Sequence, residues 1–297
     1  MAASATMRRP RARGFTLVEL IVVIVLIGII GGVLVLQLLP AIRSYLLVGQ
    51  RAALTNQADT ALRKIVGEVR SAVPNSLRLE SSTCMELVPT KDGGRYRMGP
   101  HVDRDVDPVV VAGDFLDDTG TKTRFDVLTD AVNAPVPGDA IVIGNQNTSD
   151  VYNEVNVGIV NASGVPTNAA TGVSSITLDA AIQIPPGYDG GRFVVVPKDE
   201  KVVTYLCLGA KLDKDTGTGA GKLYRLADAN FHLDPTCPAV APAGAALVAD
   251  KVSHCAFIYS PNQGATQESG FVQLQLTLSD KGESVPLTIG AHVDNVP

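Results

Sequence analysis

The stretch RGFTLVELIVVIVLIGIIGGVLVLQLLPAIR, from Arg13 to Arg43, decides how the rest of the chain is read. Between Glu19 and Arg43 lie 23 residues without a charge, and only Gln37 among them is plainly polar. At about 1.5 Å of rise per residue, some 20 residues cover the roughly 30 Å hydrocarbon core of a bilayer. A surface helix of a soluble protein keeps a polar stripe, and this one has none. We read residues 20–39 as a membrane span. The upstream flank carries Arg8, Arg9, Arg11 and Arg13 and no acid before Gly14. The positive-inside rule then keeps the N-terminus cytoplasmic and sends everything after Arg43 across the membrane. A secretory signal peptide has a similar basic and apolar order. Against it, the run is long, no small-x-small cleavage site follows cleanly, and Glu19 opens the apolar run. A carboxylate there costs a few kcal/mol to bury, which a mere anchor has no use for.

Composition agrees with this division. The chain has 297 residues, 45% of them hydrophobic, only 5% aromatic and none of them Trp. Low hydrophobicity and high net charge, the marks of disorder, are both missing. Its 25 Lys+Arg against 30 Asp+Glu give a net charge of −5, which disfavours a strongly basic nucleic-acid binder. Without the four leader arginines the balance is 21 against 30, or −9.

The residues Arg13-Gly14-Phe15-Thr16-Leu17-Val18-Glu19-Leu20 resemble the N-terminus of the type IV prepilin and type II secretion pseudopilin family. The resemblance implies a basic leader, 1–14, that a prepilin peptidase removes after Gly14. It implies N-methylation of the new first residue, Phe15, and a Glu at the fifth mature position, Glu19. Gly14 lets an enzyme approach the backbone closely, having no Cβ. Glu19 is expected to pair, on assembly, with the new amine of a neighbouring subunit, since a charge in lipid needs a partner. Either Met1 or Met7 serves as the start.

Gly28 and Gly32 have the small-xxx-small spacing that lets membrane helices approach. Pro40 predicts a kink or local melting. Beyond it, Ile42, Tyr45, Leu46, Gly49, Ala52 and Ala53, then Leu62, Ile65, Val66, Val69 and Val73, recur at helical spacing. One helix is therefore expected from about 16 to 73, stopped by Pro74-Asn75-Ser76. Strands are predicted at 76–80, 84–89, 108–112, 123–129, 139–144, 151–160, 174–182, 192–197, 201–208, 222–226, 252–260, 270–279 and 285–293. The clearest is GFVQLQLTLS, Gly270 to Ser279, with its strict alternation. The expected fold is α+β: a long N-terminal helix, 15–73, packed on a large antiparallel β-rich head, 74–297.

Four cysteines, Cys84, Cys207, Cys237 and Cys255, face an oxidising compartment in this topology. Three pairings are possible, and we favour Cys207–Cys237 with Cys84–Cys255. Asp103, Asp105 and Asp107 alternate along a loop as weak Ca²⁺ candidates. Asp213-Lys-Asp215-Thr-Gly217 opens like an EF-hand but has Tyr224 where the last acid belongs. Gly217-Thr-Gly219-Ala-Gly221-Lys222 misses the phosphate-loop spacing and reads as a hairpin turn. His101, His232, His254 and His292 accompany no nucleophile motif, so neither catalysis nor a cofactor is expected. Gly93-Gly-Arg-Tyr-Arg97 reads as a tight turn aiming Arg95 and Arg97.

Further strings are similar to minor pilins of MSHA-type pilus biogenesis. They include Glu68-Val-Arg-Ser-Ala-Val-Pro74, Cys84-Met-Glu-Leu-Val-Pro89, Pro137-Gly-Asp-Ala-Ile-Val-Ile-Gly-Asn145, Val252-Ser-His-Cys-Ala-Phe257 and the final His292-Val-Asp-Asn-Val-Pro297. The resemblance implies an inner-membrane protein with a periplasmic head. Its partners would be the prepilin peptidase, other major and minor pilins or pseudopilins, and an inner-membrane assembly platform, with no nucleic acid. The alternatives are a minor pseudopilin of a type II secretion system and a pilus-tip adhesin or binding module.

Overall fold

The computed structural model describes residues 14–105, 110–261 and 269–294. Its first element, α1 (Leu17–Arg70), is an unbroken helix of 54 residues. It runs through Pro40 without local melting. The missing amide of Pro40 leaves only the Leu36 carbonyl without its helical donor. The chain forms two compact units, Met1–Gln50 and Arg51–Pro297. In the first unit nearly every apolar side chain of the helix is exposed. This stretch is long and apolar enough to cross a membrane, and none of its most apolar window is buried.

In the second unit the chain continues through short strands. These are β1 (Arg78–Ser81), β2 (Cys84–Leu87), β3 (Asp92–Arg95), β4 (His101–Asp103), β5 (Val110–Ala112), β6 (Arg124–Val127) and β7 (Ala140–Val142). A short helix, α2 (Thr148–Tyr152), precedes β8 (Val157–Gly164), β9 (Ser174–Leu178), β10 (Arg192–Val196) and β11 (Val202–Leu208). Then come β12 (Leu212–Asp213), β13 (Thr218–Gly219), β14 (Gly221–Asp228), β15 (Ala246–Ser260), β16 (Ser269–Asp280) and β17 (Glu283–Asp294). A seven-stranded sheet has the order β1-β2-β11-β14-β15-β16-β17, and a six-stranded sheet the order β3-β10-β7-β8-β9-β6. Every ladder in both is antiparallel.

Three apolar cores follow from the alternation of strand side chains. Leu54, Ala58, Ala61, Leu62, Ile65 and Val69 of α1 pack on one face of the seven-stranded sheet. The small Ala58 and Ala61 are buried in that contact. On β16 the buried set is Val272, Leu274, Leu276 and Leu278, the phase that the sequence alternation predicts. The six-stranded sheet gathers Tyr96, Phe125, Ile141, Ile143, Ile176 and Phe193. A third cluster joins Val73, Val88, Val142, Tyr152, Val196 and Val202.

The differences from expectation are local. The predicted strand over 151–160 begins with α2 instead, because the Asp150 carboxylate accepts the Asn147 amide at 3.0 Å and starts a helical turn. Glu154, at φ 56°, then reverses the chain into β8. β3 lies outside the strands that the sequence predicts, because Asp92-Gly-Gly-Arg95 has little intrinsic strand preference. It forms because Phe193 packs over it: a Cβ on Gly94 would stand 3.0 Å from that ring. β16 and β17 form a hairpin on Lys281–Gly282, both at positive φ, as a tight two-residue turn requires. Pro286 is tolerated in β17 because that strand is the sheet's edge.

Candidate functional site

The first described residues carry the processing and assembly candidates. Gly14 and Phe15 precede the helix, and Phe15 is 78% exposed. Thr16 and Glu19 form a reciprocal cap on α1. The Glu19 amide donates to the Thr16 hydroxyl at 3.2 Å, and the Thr16 amide to the Glu19 carboxylate at 3.4 Å. Each satisfies an amide that a helix start otherwise leaves open, and the carboxylate also sits favourably at the positive end of the helix dipole. The signal for this cap is present in the sequence as Thr-x-x-Glu before an apolar run.

The disulfides correct the favoured pairing. Cys84 bonds Cys237, and Cys207 bonds Cys255; Cys207–Cys237 and Cys84–Cys255 do not form. The reason is the period of two along a strand. On β2, Met85 and Leu87 face α1. Cys84 and Glu86 must therefore face the opposite side. Cys207 and Cys255 lie in the core beneath α1, so they meet each other. Cys84 is left to reach Cys237 in the loop after β14.

That loop is also held by a buried charge. Glu86 is 1% exposed and accepts from Arg78 Nε at 2.9 Å and Nη2 at 2.7 Å. Its other oxygen accepts the Thr204 hydroxyl at 3.0 Å and the Thr236 amide at 2.7 Å. Arg78 donates onward to the carbonyls of Leu233 and His232, and its guanidinium lies 3.6 Å from the centre of the Tyr152 ring. Of the four histidines, His232 is thus beside a structural cluster. His292 packs edge-on against Phe271, and His101 and His254 sit on separate strands.

A second ion cluster joins α1 to the sheet. Arg225 donates to Glu68 at 3.0 Å and to Glu200 at 2.6 Å. The Arg225 hydrogen bond holds the Glu200 carboxyl below the usual range, against a smaller opposing effect of burial. A carboxyl depressed in the folded state stabilises the fold above its ordinary pKa, near 4.5, and loses that contribution as pH falls through the lowered value. Arg225→Ala is expected to cost about 1–3 kcal/mol at neutral pH, given the partial exposure of Glu200. The gap to the natural chain should narrow in acid, as melting curves at pH 7 and at pH 3 would show.

The weak metal candidates are not gathered. Asp103 ends β4 and its carboxylate accepts the Asp105 amide at 3.0 Å, while Asp107 lies outside the described residues. Among the described residues no three His, Cys, Asp or Glu side chains converge to hold a metal. Asp213 likewise caps its own turn, accepting the Asp215 amide and the Thr216 hydroxyl, which lowers its pKa. Gly221 allows a close approach: a Cβ there would lie 2.5 Å from the Ala210 backbone. The glycine string at 217–221 thus closes the expected hairpin, between β12 and β13, and lets backbones cross closely beyond it. Gly93 to Arg97 forms β3 and its exit, with the Arg97 guanidinium donating to the Thr171 carbonyl.

No curated protein and no solved structure matches the chain. A family model described as the prokaryotic N-terminal methylation motif matches residues 9–35. The motif implies processing by a prepilin peptidase and assembly with other pilins. At its N-terminus the chain thus carries the motif of type IV pilin-like and pseudopilin subunits.

Proposed function

We propose that the protein is a minor pilin of the MSHA type, similar to MshO, that initiates, caps or modifies a pilus-like filament. The observation carrying this reading is the methylation motif at 9–35 set directly on an exposed apolar helix. Residues 1–14 are the leader, cut after Gly14, and Phe15 is then methylated. Residues 15–73 anchor the subunit in the inner membrane through 20–39, with the N-terminus cytoplasmic. Residues 74–297 form the periplasmic head. The assembly platform extracts the subunit, and Glu19 exchanges its own helix start for a neighbour's N-terminal amine. A minor pseudopilin of a type II secretion system shares every one of these steps, and expression beside each machinery separates the two.

Mass spectrometry of the protein recovered from membranes should find methyl-Phe15 as the first residue. Another N-terminus would sink the processing step. Glu19→Ala should reduce filament incorporation, read by immunoblot of sheared filaments, while membrane insertion persists. Undiminished incorporation would remove Glu19 from assembly.

A further inference from the structure

Arg95 and Arg192 stand directly opposite each other on β3 and β10, so their side chains leave the same face of the sheet. Like charges in that position repel, and a structural pair would be expected to include a carboxylate. Neither guanidinium has a hydrogen-bond or ion-pair partner among the described residues. Arg95 lines a cleft of about 330 Å³ together with Arg97, Asp189, Gly190 and Gly191. The amides of Gly190 and Gly191 have no acceptor among the described residues. An adjoining cleft of about 280 Å³ shares Tyr96, Met98 and Asp189 with the first and adds Asp117, Asp118 and the half-buried Tyr188. The carboxylates of Asp118 and Asp189 have no donor among the described residues.

The two clefts ask for opposite chemistry. The first offers the unpaired Arg95 guanidinium and two free amides to an oxyanion, with Arg97 held by the Thr171 carbonyl and Asp189 at the border with the second cleft, and a carboxylate is the group a guanidinium fork fits. The second offers carboxylate acceptors beside an aromatic side chain, which suits hydroxyl donors. A ligand with a carboxylate at one end and hydroxyls at the other is a sugar acid. With the chain at −5 overall, long-range attraction for a polyanion such as nucleic acid is lacking, while a single local anion can still be paired. We propose that the two adjoining clefts, lined by Arg95 and Asp189 with Arg192 opposite Arg95 on the neighbouring strand, bind an acidic saccharide, a uronate unit with a neighbouring hydroxyl-rich ring. This stands on the geometry of the head and does not depend on the filament reading.

The test is calorimetric titration of the full chain in detergent micelles with a galacturonate disaccharide. Controls are the neutral galactose disaccharide, inorganic sulfate and an oligothymidylate. The uronate should bind at least about tenfold more tightly than either small control. Arg95→Gln with Arg192→Gln should abolish that preference and leave the melting temperature equal or higher, since a repulsion is removed. Asp189→Asn should weaken uronate binding but not sulfate binding. Absence of uronate binding, equal binding of the neutral sugar or of sulfate, or full binding by the double variant would overturn the assignment. So would tighter binding of the oligothymidylate, or a lower melting temperature of the double variant, which would make the arginines structural.

Discussion

Glu86→Ala is expected to lower the unfolding free energy by about 3–5 kcal/mol, because it strands a buried guanidinium in the middle of a satisfied network. Arg78 would lose both bonds to the carboxylate, and Thr204 and the Thr236 amide would lose their acceptor. Arg78 is 12% exposed, so water replaces those bonds only in part. Glu86→Gln keeps an acceptor and the volume, and should cost less. Urea unfolding of the full chain in detergent, followed by circular dichroism, measures both. A loss below about 1 kcal/mol for the alanine variant would mean the cluster is solvated, as surface pairs are. Combining the change with Arg78→Ala should cost much less than the two separately, because removing both partners leaves no orphaned charge.

Removing the Cys84–Cys237 bond with paired serines is expected to cost about 2–5 kcal/mol. This bond spans 153 residues in sequence and Cys207–Cys255 spans 48. On loop-closure entropy alone the longer bridge contributes about 1 kcal/mol more. Unfolding of the two serine pairs in non-reducing conditions gives the comparison. Peptide mapping without reductant should recover Cys84 linked to Cys237 and Cys207 linked to Cys255. Recovery of a Cys207–Cys237 peptide would refute the arrangement. Because Thr236 also donates to Glu86, the serine pair and Glu86→Ala should be non-additive: both release the same loop.

Much of the fold could be read from local pattern. α1 falls within three residues of the predicted helix at each end, since a continuous helical period needs no distant partner to be recognised. The alternation in β16 correctly separated Val272, Leu274, Leu276 and Leu278 from Gln273 and Gln275. Weakly preferring segments were not legible. Asp92-Gly-Gly-Arg95 becomes a strand only because Phe193 and the ladder with β10 organise it. α2 was masked by valine and tyrosine, whose strand preference lost to the turn that Asp150 starts.

The sequence by itself determined the N-terminal methylation motif, the apolar helix and the cap at Thr16 and Glu19, because each depends on residues close to one another in the chain. Only the tertiary structure decided which cysteines meet, that Glu86 is buried with Arg78, and that Arg95 confronts Arg192. Those outcomes depend on which face a side chain takes and on the register between strands far apart in sequence. A strand's face alternates with every residue, so a one-position difference in register exchanges inside for outside. Cys84 finds Cys237 because Met85 and Leu87 turn toward α1 and leave Cys84 on the other side of the sheet.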